Sequence, residues 1–251
     1  MRTILALPVV AVVFFAAQAA TAGEAPPPPL VDTCGSAFSS LGAESKWLRA
    51  SDGVRLYAAQ AGSGSTTIVL AHEAQSSLCE FLPYAQTLTE SGLRVLAFDF
   101  RGYGYSASPR RNRLALGYDL AAAVRQARAD GASRVFLIGA SMGGAAVVQN
   151  TSSLAVDGRI SLSGTRLWRG YGLNNPAGVR RLRAPFLYVG SRRDRIVPLK
   201  EAMRIFRSVG SRDKRTAIYR GSGHGVDLVA SGPNAARARA LILGWIRNRS
   251  G

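Results

Sequence analysis

A chain of 251 residues, 47% of them hydrophobic, can bury one large core and is too short for two full-sized domains. Its formal charge of +17 would suit a polyanion, but the arginines are spread along the whole chain and no dense basic run is interleaved with aromatics. That excludes a specific nucleic-acid binder and leaves loose attraction to an anionic envelope surface as the expected consequence of the charge.

The chain opens with Arg2, an apolar run from Ile4 to Phe15 and a small-residue tail ending at Ala22. This order reads as a signal peptide over residues 1–22 with an Ala-x-Ala cut, which predicts a secreted, periplasmic or envelope protein. The alternative is an uncleaved anchor, because Ile4 to Ala20 nearly spans a bilayer if tilted. A proline-rich extension follows over residues 23–45, where the run from Glu24 to Pro29 predicts a polyproline II spacer, with folded structure setting in near Asp32. The main domain is expected over residues 46–251. Cys34 and Cys79 are the only cysteines, and an exported pair is a candidate disulfide; two separate buried thiols are the alternative.

From Trp47 onward, short β-rich runs alternate with helical patterns. "KWLRAS" and "RLYAAQA" flank Asp52-Gly53, a hairpin signal. Then come "TTIVLAHE", "RVLAFDF", "RVFLIGAS", "RISLSG", "APFLYVGS" and "RTAIYRGS". Between and after these runs lie helical candidates at Cys79–Ser91, Leu116–Ala129, Met142–Ala155, Pro176–Leu182, Leu199–Val209 and Asn234–Arg247. The nearly continuous apolar runs are those of parallel strands covered on both faces. The fold class is therefore α/β: a mostly parallel sheet with helices on both faces and an antiparallel N-terminal hairpin. In such a sheet, ligands bind beyond the carboxyl ends of the strands.

Gly139-x-Ser141-x-Gly143 lies where the run "RVFLIGA" meets a helix-compatible start, the context of a serine held on a sharp strand-to-helix turn. A P-loop would need Lys-Ser or Lys-Thr after the last glycine, where Ala145-Ala146 stands, and the glycine spacing does not fit a dinucleotide turn. A serine nucleophile needs a base, and there are two histidines. His224, in "GSGHG" after the last strand, is the expected base; His72, in "LAHEAQ", is expected to be structural. Asp194, in "SRRDRIVP", is the expected carboxylate orienting the imidazole; the alternatives are that it pairs with Arg192, Arg193 or Arg195, or that Asp227 takes its role.

Five segments together, "LAHE", "FDFRGYGYS", "GASMG", "SRRDRIVP" and "GSGHG", resemble the α/β-hydrolase superfamily over about Trp47 to Arg247, with its order of nucleophile, acid and histidine. The resemblance implies an α/β-hydrolase fold and a serine hydrolase cleaving carboxylic esters, and the short span between Thr165 and Arg183 suits a small or polymer-linked ester. Its oxyanion would be held by backbone N–H groups of Met142 and Glu73, with Ala74 as the alternative to Glu73. No metal or organic cofactor is needed for such chemistry. Glu73 replaces the superfamily's usual glycine, and its side chain is expected to turn away, toward an arginine such as Arg101. The span from Thr165 to Arg183 is too short for a helical cap, so the cap is minimal or absent, with Trp168, Tyr171 and Leu173 as a candidate apolar rim. The rival readings are a peptidase or amidase with the same triad, and a non-catalytic exported binding protein on this scaffold.

Overall fold

The computed structural model describes residues 25–109, 115–149, 153–165 and 175–250. The expected signal peptide and the rim residues Trp168, Tyr171 and Leu173 lie outside the described residues. Eight strands form one sheet: β1 (Glu44–Arg49), β2 (Arg55–Ala61), β3 (Thr66–Ala71), β4 (Arg94–Phe98), β5 (Arg134–Ala140), β6 (Gly158–Leu162), β7 (Phe186–Ser191) and β8 (Lys214–Tyr219). Their spatial order is β1-β2-β4-β3-β5-β6-β7-β8. β2 pairs antiparallel with both β1 and β4, and every other pairing is parallel.

The helices are α1 (Leu30–Cys34), α2 (Leu82–Glu90), α3 (Leu116–Ala129), α4 (Ser141–Gln149), α5 (Pro176–Arg181), α6 (Leu199–Ser208) and α7 (Ala235–Arg247). Because successive strand residues point to opposite faces, β3 serves two cores at once. Val69 joins Leu96, Leu137, Leu120 and Ala123 on one face, while Ile68 and Leu70 join Phe81, Leu82, Ile242 and Trp245 on the other. This double burial explains why β3 and β5 read as unbroken apolar runs. In the β1–β2 hairpin Trp47 lies opposite Tyr57, and the turn places Gly53 at φ +86°, a backbone state that glycine adopts without a Cβ clash.

Pro29 has an extended backbone, at φ −57° and ψ 148°, and the residues before it are tied to the sheet rather than free. Proline carbonyls remain available as acceptors where no N–H is present. The Pro28 carbonyl accepts from the Tyr57 hydroxyl at 2.9 Å, and the Ala25 carbonyl accepts from the Trp47 indole at 2.9 Å. Leu30 is buried in the core, and a Cys34–Cys79 disulfide, Cα atoms 5.4 Å apart, ties α1 to the 3-10 turn Leu78–Phe81 that leads into α2. Between β6 and β7 the described residues hold no helix besides the six-residue α5, which fits a minimal cap.

Candidate active site

Ser141 stands where β5 ends and α4 begins, at φ +46° and only 4% exposed. A non-glycine residue there is strained by about 1–3 kcal/mol, which the surrounding packing must enforce. The flanking glycines show how it does so. A methyl group at Gly139 would overlap the Gly143 carbonyl, and one at Gly143 would overlap the Ala71 carbonyl at the end of β3. The Gly143 N–H donates to the His72 carbonyl at 3.1 Å, locking the turn onto β3. The Met142 N–H belongs to the first turn of α4, where no intrahelical carbonyl reaches it.

Asp194 and His224 follow β7 and β8, whose carboxyl ends lie at the same sheet edge as that of β5. Pairing of the two strands continues into their loops, since Arg192 N–H donates to the Tyr219 carbonyl and Arg193 N–H to the Gly221 carbonyl, both at 2.9 Å. Asp194 Oδ2 lies 2.8 Å from His224 Nδ1, and Oδ1 accepts from Ile196 and Val197 N–H at 2.9 Å each. Burial acts to raise the Asp194 carboxyl, but the bonds from His224, Val197 and Ile196 outweigh it and hold it below the ordinary carboxylate value. An ionised Asp194 accepts from Nδ1–H and leaves His224 Nε2 with a lone pair. The 3-10 turn after His224, Gly225–Leu228, packs against α4, β5, β6 and β7, bringing the histidine loop to the element that carries Ser141. Asp227 is exposed in that turn, so Asp194 rather than Asp227 is the carboxylate on the imidazole.

His72 is fully buried. Its Nε2 lies 2.9 Å from Phe100 N–H, an obligatory donor, so Nε2 accepts and Nδ1 carries the proton it gives to the Glu73 carbonyl at 2.7 Å. Burial pushes its pKa down to about 4, consistent with a neutral ring clamping the ends of β3 and β4. Asp99 fixes the same region: its carboxylate accepts from Leu78 N–H at 2.7 Å and Tyr105 N–H at 3.0 Å.

Two expectations for Glu73 are corrected. Its N–H is not an open oxyanion donor, because it donates to Glu80 Oε1 at 2.8 Å. Its side chain does not reach Arg101, whose guanidinium is held by Asp119 and Asp52. The carboxylate lies instead against Gly225, in the space a Cβ there would occupy, beside the His224 loop. Burial raises its pKa, partly offset by His224 and by the Val226 N–H. Ala74 N–H makes no hydrogen bond among the described residues. A trans peptide points its C=O and N–H in opposite directions, so the His72 bond to the Glu73 carbonyl turns the Ala74 N–H away from the His72 ring.

Glu80 has no place in the sequence reading, although a lone carboxylate inside the apolar stretch Leu78-Cys79-Glu80-Phe81 is the signal that would reveal it. Burial, reinforced by the charges of Glu73 and Asp227, pushes it up to about 7. A carboxyl raised in the folded state favours folding below its unfolded value and loses that contribution as pH rises toward 7. Glu80→Gln keeps an acceptor for the Glu73 N–H, so its melting temperature is expected to fall less between pH 5 and pH 7 than that of the parent. Calorimetric scans across that range check this.

Comparison with known proteins bears on the fold. The family model described as serine aminopeptidase, S33, matches residues 63–165, which carry β3 to β6 and the Ser141 turn. No curated protein sequence matches the chain. Among solved structures, an esterase from Pyrococcus furiosus superposes with a TM-score of 0.76 at 17% identity, covering 90% of this chain and 98% of that one. The esterase domain of a Rhodothermus marinus protein gives 0.66 at 22% identity, covering 83% and 99%. An esterase from Exiguobacterium antarcticum gives 0.67 at 15% identity, covering 81% and 100%. These likenesses show an α/β-hydrolase fold, and the family model matches the part of it that carries the Ser141 turn.

Proposed function

We propose that the protein is an exported serine hydrolase of carboxylic esters. The observation that carries this reading is the 2.8 Å bond between His224 and Asp194 at the sheet edge where Ser141 is held at φ +46°. His224 Nε2 takes the Ser141 proton as the hydroxyl attacks the acyl carbon, and Asp194 stabilises the imidazolium. The N–H groups of Met142 and Ala74 receive the developing oxyanion, Ala74 replacing Glu73 in that role. The alcohol leaves with a proton from His224. Water, activated by the same base, then hydrolyses the acyl-enzyme. Export is supported by the Cys34–Cys79 disulfide, which an oxidising compartment maintains.

The description of the matched family favours a second reading, an aminopeptidase using the same three residues. One experiment tests both. The exported protein is treated with a fluorophosphonate and weighed intact, then assayed on p-nitrophenyl esters and aminoacyl p-nitroanilides. A single adduct on a chain beginning at Gly23, lost in Ser141→Ala and His224→Ala, with ester turnover well above anilide turnover, is expected. Folded wild-type protein that takes no label overturns the catalytic reading and returns the non-catalytic binder; anilide turnover exceeding ester turnover overturns the esterase.

A further inference from the structure

The loops after β7 and β8 form one ledge, because Arg192 and Arg193 continue the β7–β8 pairing two residues past the strands. Four arginines stand on it: Arg192, Arg193, Arg195 and Arg220, all exposed. For Arg192, Arg193 and Arg195 the nearest carboxylate in sequence is Asp194, and a solvated Asp–Arg loop would place its charge on them. Instead Asp194 is 6% exposed, with Oδ2 on His224 and Oδ1 on the Ile196 and Val197 amides. None of the four guanidinium groups has a hydrogen-bond or ion-pair partner among the described residues. Some arginines elsewhere are neutralised, Arg101 by Asp52 and Asp119, Arg128 and Arg134 by Asp157, Arg204 by Glu201, and Arg249 by Asp213. Others, such as Arg212 and Arg247, have no carboxylate partner among the described residues; what sets the four apart is their place on the loops that carry Asp194 and His224. The negative groups on the histidine side are Asp227, exposed, and Glu73, whose burial favours its neutral form.

We propose that this ledge selects the substrate: the protein acts on small esters that carry a second, ionised carboxylate, which Arg192 and Arg220 receive beside the Ser141–His224 centre. The inference rests on the esterase reading above. A guanidinium presents a planar fork that pairs bidentately with a carboxylate, and unneutralised cations grouped on one surface raise the local concentration of an anion. Ile196, 65% exposed at the tip of the same loop, offers an apolar contact for the chain between the ester and the distal carboxylate.

The test compares p-nitrophenyl hexanoate with the mono-p-nitrophenyl ester of adipic acid, which share leaving group and acyl length and differ in the terminal carboxylate. The adipate ester is expected to have the higher kcat/KM, with the ratio of the two falling as salt screens the arginines. Arg192→Gln with Arg220→Gln is expected to lower that ratio about tenfold. Arg212→Gln with Arg247→Gln, which removes the same charge away from the ledge, is expected to leave the ratio where it was. Turnover of the hexanoate with no preference for the adipate, or a preference that survives the Arg192 and Arg220 changes, overturns the proposal while leaving the esterase intact. Salt-sensitive sedimentation with phosphatidylglycerol vesicles and no adipate preference assigns the arginines to a membrane surface and also overturns it. Turnover of neither ester, with no fluorophosphonate label, overturns the esterase reading itself.

Discussion

Asp194→Asn is expected to lower kcat by about 10⁴-fold while leaving the fold and melting temperature nearly unchanged. The asymmetry follows from how the two carboxylate oxygens are used. Oδ1 accepts from the Ile196 and Val197 amides, and an asparagine keeps that acceptor by placing its carbonyl oxygen there. Its NH₂ group then occupies the position 2.8 Å from His224 Nδ1. Two donors cannot face each other, so the imidazole must present a lone pair at Nδ1 and carry its proton on Nε2. In the proposed mechanism that is the nitrogen that takes the Ser141 proton, so the variant's base would be blocked by its tautomer rather than by displacement. Asp194→Ala differs in kind, because it also orphans the two amides and lowers stability. Stopped-flow turnover of a p-nitrophenyl ester, paired with thermal melting of both variants, separates the two effects. If Asp194→Asn retains kcat within a few-fold, the His224–Asp194 pair has no catalytic role.

The strands were legible because double burial forces unbroken apolar runs, and "RVFLIGA" had to be a central strand wherever it paired. Ser141 was legible for a related reason. Gly139 and Gly143 flank it because a Cβ at either would strike backbone, so steric need wrote the motif. His224 stood out by scarcity. The surroundings of Glu73 were not legible, since the groups that decide its behaviour come from distant segments. Glu80 reaches its N–H from the 3-10 turn after β3, and Gly225 receives its carboxylate from the loop after β8. No periodicity encodes those meetings. Arg101 failed as an expected partner because its fork was already matched by Asp119 on α3 and Asp52 in the first hairpin, 18 and 49 residues away in sequence. The packed proline segment escaped for the same reason: its carbonyls find Trp47 and Tyr57 only once the hairpin exists.

Arg101→Leu is expected to cost about 3–5 kcal/mol of stability at neutral pH. Arg101 and Asp119 side chains are both fully buried, and Asp119 takes Nε, Nη2 and the Arg101 backbone N–H. Asp52 holds the other side of the guanidinium, but its side chain is 29% exposed and water can replace what it loses. Removing the arginine therefore strands one carboxylate, that of Asp119, in a dry site. Burial already pushes Asp119 up to about 6 with Arg101 in place, and without the counter-charge it must rise further. A carboxyl raised in the folded state is stabilising below its unfolded value and costly above its folded one. The deficit of Arg101→Leu relative to wild type should accordingly shrink as pH falls toward 5 and grow as pH rises through 6 toward the still higher value that Asp119 takes without Arg101. Adding Asp119→Asn to Arg101→Leu removes the stranded charge yet keeps an acceptor for the backbone N–H of residue 101, so part of the loss should return. Urea midpoints for the single and double variants at pH 5 and pH 7.5 read this directly. A deficit that does not change with pH, or a double variant less stable than Arg101→Leu, would place the cost in lost packing around the guanidinium stem instead of in the buried charge.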